Sequence, residues 1–343
     1  MGGNFCLSGL IAGILLGILL RRGFFCFYNG MANMVITKDY RIIRATIWAF
    51  LLTMISFHTL ASLGIIVLNP KPFFWVASVV GAVIFGIGMT LSGSCIVGTP
   101  LRAASGLMGY WITLLGMGSG GWLVIWGPLA SFRKNTLQEA TKIMLKGKNP
   151  TLDAIFGANH WVIVVILTVI CGWLLFILRS KTPGAYKEKS SLSKKIFKGL
   201  WSPLAIGISF AVVETIAFLG GKSPAGLGGF IKGYATFFRA TFADKFSWGW
   251  PTTEVTGILI GVFIAAVIAG EFKIIWPRMR QIPRLFFGGF LMGIGAVIAA
   301  GGCNVAHIIS HMPQLSIGSF ISGITIVITV WIIVYYTFVG KKS

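Results

Sequence analysis

Two cysteines follow two similar glycine-rich segments, and together they offer thiol chemistry. The first segment runs from Gly86 to Cys95 as GIGMTLSGSC, and the second runs from Gly293 to Cys303 as GIGAVIAAGGC, with one extra residue before its cysteine. Glycine allows a positive φ and a close approach of backbones. At membrane depth, non-helical backbone is tolerated only where it is buried in protein or lines a cavity. The repeated pattern therefore predicts two interrupted helices that present sulfur atoms to a pore or substrate site.

The residues around Cys95 favour the binding of an anion. Gly93 and Ser94 precede the cysteine, Gly98 follows it, and a Thr-Pro pair comes directly after. Thr-Pro is typical of a helix start, with threonine at the N-cap and proline at the first helical position. Unpaired N–H groups at a helix start attract anions. Arg102 adds positive charge if it faces the cavity and nothing specific if it points to the membrane surface.

Two further turns offer similar chemistry. Gly302 and Asn304 flank Cys303 in the second glycine-rich turn. Cys26 comes shortly after Arg22, at the end of an apolar segment. A funnel with a cationic rim would present this sulfur to an anion, and Arg22 would attract the anion. The alternative for Cys26 is an incidental cysteine in a turn near the membrane surface.

The remaining histidines and cysteines do not indicate a metal or redox centre. His307 and His311 have the spacing of a helical metal pair, but no acidic third ligand stands nearby. Five cysteines without a Cys-x-x-Cys pair disfavour a disulfide framework, a zinc site and a thioredoxin-like pair. Cys6 and Cys171 lie in plain apolar runs and are expected to be small buried side chains. We predict no cofactor and no metal.

The composition is that of a polytopic membrane protein. Of the 343 residues, 56% are hydrophobic and 11% are charged, and the mean hydropathy is +0.86. Globular proteins carry about 25% charged residues. A spanning helix needs roughly 20 apolar residues, and such segments lie near residues 5–20, 46–68, 73–91, 103–127, 160–178, 201–219, 254–270, 285–300 and 317–338. We therefore predict an all-α polytopic protein of the lipid bilayer, with about nine transmembrane helices plus short broken helices.

A basic loop divides the chain into two halves. The predicted organisation is a first transmembrane repeat at 1–178, a basic linker at 179–199 and a second transmembrane repeat at 200–343. The positive-inside rule places the linker in the cytoplasm, and Lys341 and Lys342 favour a cytoplasmic C-terminus. One interrupted helix in each half suggests an internal duplication, with chance similarity of glycine-rich helices as the alternative.

Charge elsewhere in the chain bears on partners and on coupling. The net charge of +21 is spread over the loops of a membrane protein, so we predict no nucleic-acid partner, and the cationic surface favours the approach of anions. Residues 221–252, rich in glycine, proline and aromatic residues, are typical of an interfacial segment anchored by tryptophans. Glu214 is the most deeply placed acid in the apolar segments and serves either structure or proton coupling.

In three segments that contain a cysteine, the chain resembles the YeeE/YedE family of bacterial membrane proteins, which includes thiosulfate transporters. The resemblance covers most of the chain in length and layout. It rests on RGFFC from Arg22 to Cys26, GSCIVG from Gly93 to Gly98, and GGCN from Gly301 to Asn304. The chain departs from the pattern at Ala306, where such turns often have glycine.

The resemblance implies an hourglass-shaped, multi-pass protein of the bacterial inner membrane with inverted-repeat character. Thiosulfate would pass inward along cysteine thiols, with Cys95 as the central contact and Cys26 and Cys303 as flanking stations. The family is also associated with a small TusA-type sulfurtransferase and with selenium metabolism. A transporter rather than an enzyme is therefore our leading hypothesis. The alternatives are a membrane thiol enzyme that relays sulfane sulfur and a transporter of a selenium compound.

Overall fold

Helices make up nearly all of the ordered architecture. The computed structural model describes residues 2–145, 147–179, 201–221, 229–243, 248–300 and 303–340, so nearly all of the predicted linker 179–199 lies outside the described residues. The α-helices are α1 (Gly2–Gly23), α2 (Phe27–Ile36), α3 (Arg41–Ser62), α4 (Trp75–Ser92), α5 (Gly98–Ala103), α6 (Gly109–Ile125), α7 (Leu152–Phe156), α8 (His160–Arg179), α9 (Pro203–Gly221), α10 (Phe230–Ala243), α11 (Trp250–Ile268), α12 (Ile282–Ile298) and α13 (Ile317–Val334).

Short elements complete the fold. Three π-helical segments span Phe132–Gln138, Ala306–His311 and Tyr335–Val339, and two 3-10 turns span Glu139–Thr141 and Met279–Gln281. Strands β1 (Phe73–Phe74) and β2 (Lys142–Ile143) pair antiparallel.

The predicted all-α polytopic membrane protein is confirmed. Seven described helical segments are long and apolar enough to cross a membrane, and the apolar stretch Pro203–Leu219 of α9 and the 17-residue α6 are slightly shorter. Each predicted transmembrane segment coincides with one of the helices. Large apolar side chains on α8 are exposed, among them Val169 and Phe176, as expected for a helix that faces lipid.

Helices α4 and α12, which carry the repeated cysteine pattern, pack with almost no side chain between them. A Cβ on Gly88 of α4 would lie 2.7 Å from the Gly288 carbonyl oxygen of α12, and a Cβ on Gly81 would lie 2.7 Å from the Gly295 carbonyl oxygen. Small residues allow this approach in membranes. Gly81 precedes Gly88, whereas Gly295 follows Gly288, so the two helices are antiparallel. The cysteine turns that follow them therefore lie at opposite ends of the pair.

One end of the bundle is rich in arginine. Arg41, at the start of α3, donates to the Gly23 carbonyl oxygen at the end of α1 at 3.1 Å. Arg284 of α12 donates to the Leu91 carbonyl oxygen near the end of α4 at 2.6 Å. We call this the arginine end, and the Cys95 turn lies here.

The opposite end carries histidines. His58, near the end of α3, stacks on His160 at the start of α8 with ring centroids 5.3 Å apart. His58 Nε2 also lies 3.1 Å from the carbonyl oxygen of Pro313, in the segment that follows Cys303. We call this the histidine end, and the Cys303 turn lies here.

The segment 221–252 differs from its prediction. It contains α10, which packs against α6 so closely that a Cβ on Gly118 would lie 2.9 Å from the Tyr234 carbonyl oxygen. Trp248 is 61% exposed, as an interfacial anchor would be, but Trp250 is only 3% exposed. Its burial comes from neighbouring helices, which the local pattern of glycine and aromatic residues does not indicate.

The glycine contacts between α4 and α12 give a direct test. We expect Gly88→Ala to lower the apparent Tm of the purified protein by roughly 2 to 8 °C, because the added methyl group meets backbone and overpacking costs about 1–3 kcal/mol. Gly172→Ala in α8 is the matched control, since a Cβ there has no heavy atom within 4 Å. Fluorescence-detected thermal unfolding measures both. Equal Tm values for the two variants would contradict the close helix contact.

Candidate functional site

Two sulfur atoms meet inside the arginine end. The Sγ atoms of Cys26 and Cys95 lie 3.4 Å apart, at hydrogen-bond distance for thiols, and both side chains are at most 1% exposed. Cys26 comes directly before α2 and Cys95 lies in the turn after α4. The structure thus brings together two of the predicted thiols, which are distant in the sequence.

The turn at Cys95 is built from local backbone bonds. Gly93 ends α4 in the left-handed region, with φ +67°, and its N–H donates to the Met89 carbonyl oxygen. The Gly98 N–H then donates to Cys95 Sγ at 3.3 Å. Ser94 is fully buried and accepts a hydrogen bond from Thr99 Oγ1. Helix α5 begins at Gly98, with Val97 at the N-cap, so Thr99 is not the N-cap that the sequence predicts.

Arg102 faces this thiol pair rather than the membrane surface. Its guanidinium donates to the Gly93 carbonyl oxygen at 2.6 Å, to Tyr110 Oη at 2.5 Å and to Asn29 Oδ1 at 3.0 Å. These bonds tie the Cys95 turn to α6 and α2. Arg102 also lies close enough to Cys26 to interact with it electrostatically. Tyr110 and Asn29 were not predicted site residues.

The turn at Cys303 repeats the backbone pattern at the histidine end. Cys303 is 2% exposed, and the Ala306 N–H donates to its Sγ at 3.4 Å. The His307 N–H donates to the Cys303 carbonyl oxygen at 2.8 Å, as the Thr99 N–H does to the Cys95 carbonyl oxygen. The predicted Gly302 lies outside the described residues. The two turns therefore present sulfur with the same local geometry.

Gly98 lies at a position where a side chain would not fit. A Cβ on Gly98 would collide with Cys26 Sγ and would lie 3.0 Å from Ser94 Oγ. The equivalent donor in the second turn is Ala306, a fully buried residue that does carry a Cβ. Ala306 keeps the same backbone hydrogen bond to sulfur, since its N–H donates to Cys303 Sγ.

Polar side chains without a described hydrogen-bond partner surround the Cys303 turn. Asn304 follows the cysteine, is fully buried, and has no partner for either side-chain atom. Tyr234 Oη and both carboxyl oxygens of Glu254 are also unpartnered, and both residues interact electrostatically with Cys303. Unpaired buried polar atoms are rare and costly, so this cluster is a candidate site for a polar guest.

Lys71 brings positive charge to the same turn. Its ammonium group donates to the Ala300 carbonyl oxygen at 3.1 Å and interacts electrostatically with Cys303. Burial lowers the pKa of Lys71 to about 8, and the nearby Cys303 opposes that shift. Lys71 lies in the segment between α3 and α4, where the sequence gives no sign of its contact with residues far along the chain.

Glu254 was not predicted as a site residue because the start of its helix was predicted too late in the chain. The predicted segment 254–270 begins at Glu254, which would place the carboxyl at a membrane surface. Helix α11 instead begins at Trp250, and Glu254 is fully buried in its second turn. The feature of the sequence that could have identified Glu254 is an acidic residue within a run of apolar residues.

The histidines and Arg22 have structural partners. His307 Nδ1 lies 3.2 Å from Ser319 Oγ, and His307 Nε2 lies 3.1 Å from the Ala299 carbonyl oxygen. No group of three metal-ligating side chains occurs in the part of the chain that the structure describes. Arg22 donates to the Ala265 carbonyl oxygen and to Glu271, so it lies in an ion pair rather than at an open rim. Its role in attracting anions stays a prediction.

Open cavities lie at both ends of the bundle. A cavity of about 280 Å³ at the arginine end is lined by Tyr110 and Arg284 among others. A cavity of about 250 Å³ at the histidine end is lined by His58 and His160 among others. Tyr110 connects the first cavity to Arg102 and the thiol pair.

The contact between Gly98 and Cys26 predicts a coupled effect on stability. We expect Gly98→Ala to lower the apparent Tm strongly in the native background and only weakly in a Cys26→Gly background, because the collision is with Cys26 Sγ. Neighbouring residues couple by about 0.5–3 kcal/mol. Thermal unfolding of the two single variants and the double variant measures this term. Additive effects would show that the sulfur and the added methyl group do not meet.

Comparison with known proteins shows the family of the chain. The sulphur transport family matches residues 22–332, a range that includes Cys26, Cys95 and Cys303. Thiosulfate transporter TsuA of Spirochaeta thermophila is 30% identical over 344 residues, which cover 96% of this chain and 98% of that protein. Thiosulfate transporter TsuA of Escherichia coli is 28% identical, with 95% and 92% covered.

A more distant relative aligns over part of the chain. Probable transporter YedE of Escherichia coli is 26% identical over 183 residues, which cover 52% of this chain and 44% of that protein. These matches confirm the resemblance to the YeeE/YedE family. With its bundle of apolar helices and a family match over nearly its whole length, this multi-pass membrane protein belongs to the sulphur transport family.

Proposed function

We propose that the chain takes up thiosulfate, or a closely related sulfur anion, across a bacterial inner membrane along the thiols of Cys26, Cys95 and Cys303. One observation carries the proposal. Two turns with the same N–H to Sγ hydrogen bond present sulfur from opposite ends of an antiparallel helix pair. The names of two relatives that align over nearly the whole chain support thiosulfate as the substrate.

The chemistry of the thiol pair suits this anion. Thiosulfate is a dianion with a soft terminal sulfur, and a thiol is a weak donor to such an atom. One thiol of the pair Cys26 and Cys95 donates to the other, so one S–H group of the pair remains for the anion. Arg102 supplies positive charge nearby. Weak sites in series let an ion leave as readily as it enters.

The positive-inside rule predicts the orientation of the helix bundle across the membrane. The arginine end carries most of the described basic residues and adjoins the predicted basic linker; its members are Arg21, Arg22, Lys38, Arg41, Arg44, Arg102, Lys273, Arg278, Arg280 and Arg284. We therefore infer that the arginine end and the C-terminus face the cytoplasm. A TusA-type sulfurtransferase, which the family resemblance implies, would receive the anion at this end.

The path between the two ends is closed in the middle. Cavities lie at the arginine end and the histidine end, and the three cysteines between them are buried. This supports an hourglass shape, with residues 1–178 and 200–343 as two inverted repeats and α4 and α12 as their equivalent helices.

Uptake of labelled thiosulfate tests the proposal. We expect Cys95→Ala to reduce uptake by about ten- to a hundredfold in cells that lack other thiosulfate importers, because a hydrogen bond to a charged group contributes about 1.5–3 kcal/mol. Cys171→Ala is the matched control, since Cys171 lies half-buried in the lipid-facing helix α8. Expression must be equal in all three strains.

The outcomes separate the hypotheses. Equal uptake by the native chain and Cys95→Ala would remove the thiol from the path. No uptake by the native chain would reject thiosulfate, and competition by a selenium compound would then identify the alternative substrate. Release of sulfite together with a persulfide on Cys95, detected by mass spectrometry, would show sulfur transfer to the thiol in place of transport.

Lys71 predicts a pH dependence at the outer face. Its pKa of about 8 means that the ammonium charge is present below this pH and lost above it. We expect the KM for thiosulfate to rise by about three- to tenfold as external pH passes upward through this value, because a nearby attractive charge disappears. Lys71→Arg stays charged and should flatten the rise. An identical pH profile for the native chain and Lys71→Arg would exclude Lys71 as the cause.

A further inference from the structure

Two buried acids lie on two helices that both pack against α1, in the membrane-spanning part of the fold. Glu254 of α11 and Glu214 of α9 are both fully buried, and their carboxyl groups are close enough to interact electrostatically. Neither oxygen of Glu254 has a hydrogen-bond partner, although the Gly229 backbone approaches it. The described ion pairs of the chain involve Glu271 and not Glu254.

An unpaired carboxylate at this depth is unfavourable. Intramembrane acids that persist are paired or serve the movement of ions and protons. Glu254 lacks an ion-pair partner among the described residues, and Glu214, which interacts with it electrostatically, has the same sign of charge. A bound proton removes the cost of burying the charge.

The groups that face Glu254 connect it to the thiol path. Tyr234 comes from α10, and its unpartnered hydroxyl interacts electrostatically with Glu254, with Cys303 and with Cys95. The Cys303 turn itself also lies within electrostatic range of Glu254. Tyr234 is therefore within electrostatic range of Cys95, Cys303 and the acid.

The charged side chains on the described parts of the other helices packed against α11 have different surroundings: on α10, Lys232 is exposed and Arg239 lies over the Trp126 ring. Helix α1 contributes glycine at this level, with Gly13 against the Glu254 backbone. Helix α5 carries Arg102, which is bound to the Gly93 carbonyl oxygen, Tyr110 and Asn29 at the arginine end. Lys71, in the segment before α4, donates to the Ala300 carbonyl oxygen.

We propose that Glu254 is a proton-binding site whose occupancy is linked to that of the anion at Cys303, which makes this protein a proton–anion symporter. The inference rests on the proposed transport of a sulfur anion. A dianion beside Cys303 and an ionised carboxylate at Glu254 would repel each other in a medium of low dielectric constant. A proton on Glu254 removes that repulsion, so the anion and the proton bind together.

In the proposed cycle a proton binds to Glu254 and leaves it again, and no other covalent bond changes. It moves from water at the histidine end to a carboxyl oxygen of Glu254 and leaves to the cytoplasm after the anion has moved on to the Cys26 and Cys95 pair. No electron transfer and no covalent intermediate are involved. The inside-negative membrane potential opposes the entry of a dianion, and the co-transported proton offsets one of its two charges.

The test uses the full chain reconstituted into sealed vesicles of Escherichia coli polar lipids. Counterflow of labelled thiosulfate at equal pH measures transport itself. Uptake driven by an inside-alkaline pH gradient, with the voltage clamped by valinomycin and potassium, measures coupling. A trapped pH dye reports proton entry when thiosulfate is added. The variants are Glu254→Gln, Glu254→Asp and the control Glu139→Gln, whose side chain is exposed.

We expect the native chain and Glu139→Gln to accumulate thiosulfate on the pH gradient and to acidify the vesicle interior. In Glu254→Gln the ratio of gradient-driven uptake to counterflow should fall by about tenfold or more, and the dye signal should vanish. Glu254→Asp should restore part of the uptake ratio and part of the dye signal.

Counterflow by the native chain without a gradient effect or a dye signal would overturn the symport and leave transport intact. An unchanged ratio in Glu254→Gln would overturn the assignment to this residue. Absence of counterflow in the native chain would overturn the proposed transport itself.

Discussion

The close antiparallel packing of α4 and α12 is the constraint on which the rest of the site depends. Four glycines face each other across this contact, and added side chains would meet backbone atoms at 2.4 to 2.7 Å. In a membrane, apolar side chains gain little from leaving lipid, so helices associate through such close van der Waals packing. Because the helices are antiparallel and both end in a cysteine turn, one sulfur is delivered to each end of the bundle.

The two ends use the same turn differently. At the arginine end a second thiol, from Cys26, occupies the space beside the turn, and Arg102 is fully engaged with Gly93, Tyr110 and Asn29. At the histidine end no second sulfur fills the equivalent space among the described residues, and Asn304 remains without partners. Each unpaired buried polar group costs about 1–3 kcal/mol. Unpaired polar groups of this kind beside Cys303 are typical of a site that binds a polar ligand.

The proposed path follows from this asymmetry. An anion arriving at the histidine end meets Lys71 and the unpartnered polar groups around Cys303, and then the thiol pair near Arg102. Tyr234 interacts with both stations and with Glu254. The same residues that would receive the anion therefore surround the acid that would carry the proton, which is the physical basis for linking the two movements.

Sequence by itself determined the membrane class, the positions of the spanning helices and the cysteine turns, because hydropathy and local backbone freedom are properties of short segments. Gly93, with its positive φ, shows how such a turn is encoded locally. Only the tertiary structure decided that Cys26 meets Cys95, that Arg102 points at them, and that Glu254 is buried rather than interfacial. These contacts depend on how each helix is rotated about its axis, and hydropathy does not encode that rotation where apolar residues face both lipid and protein.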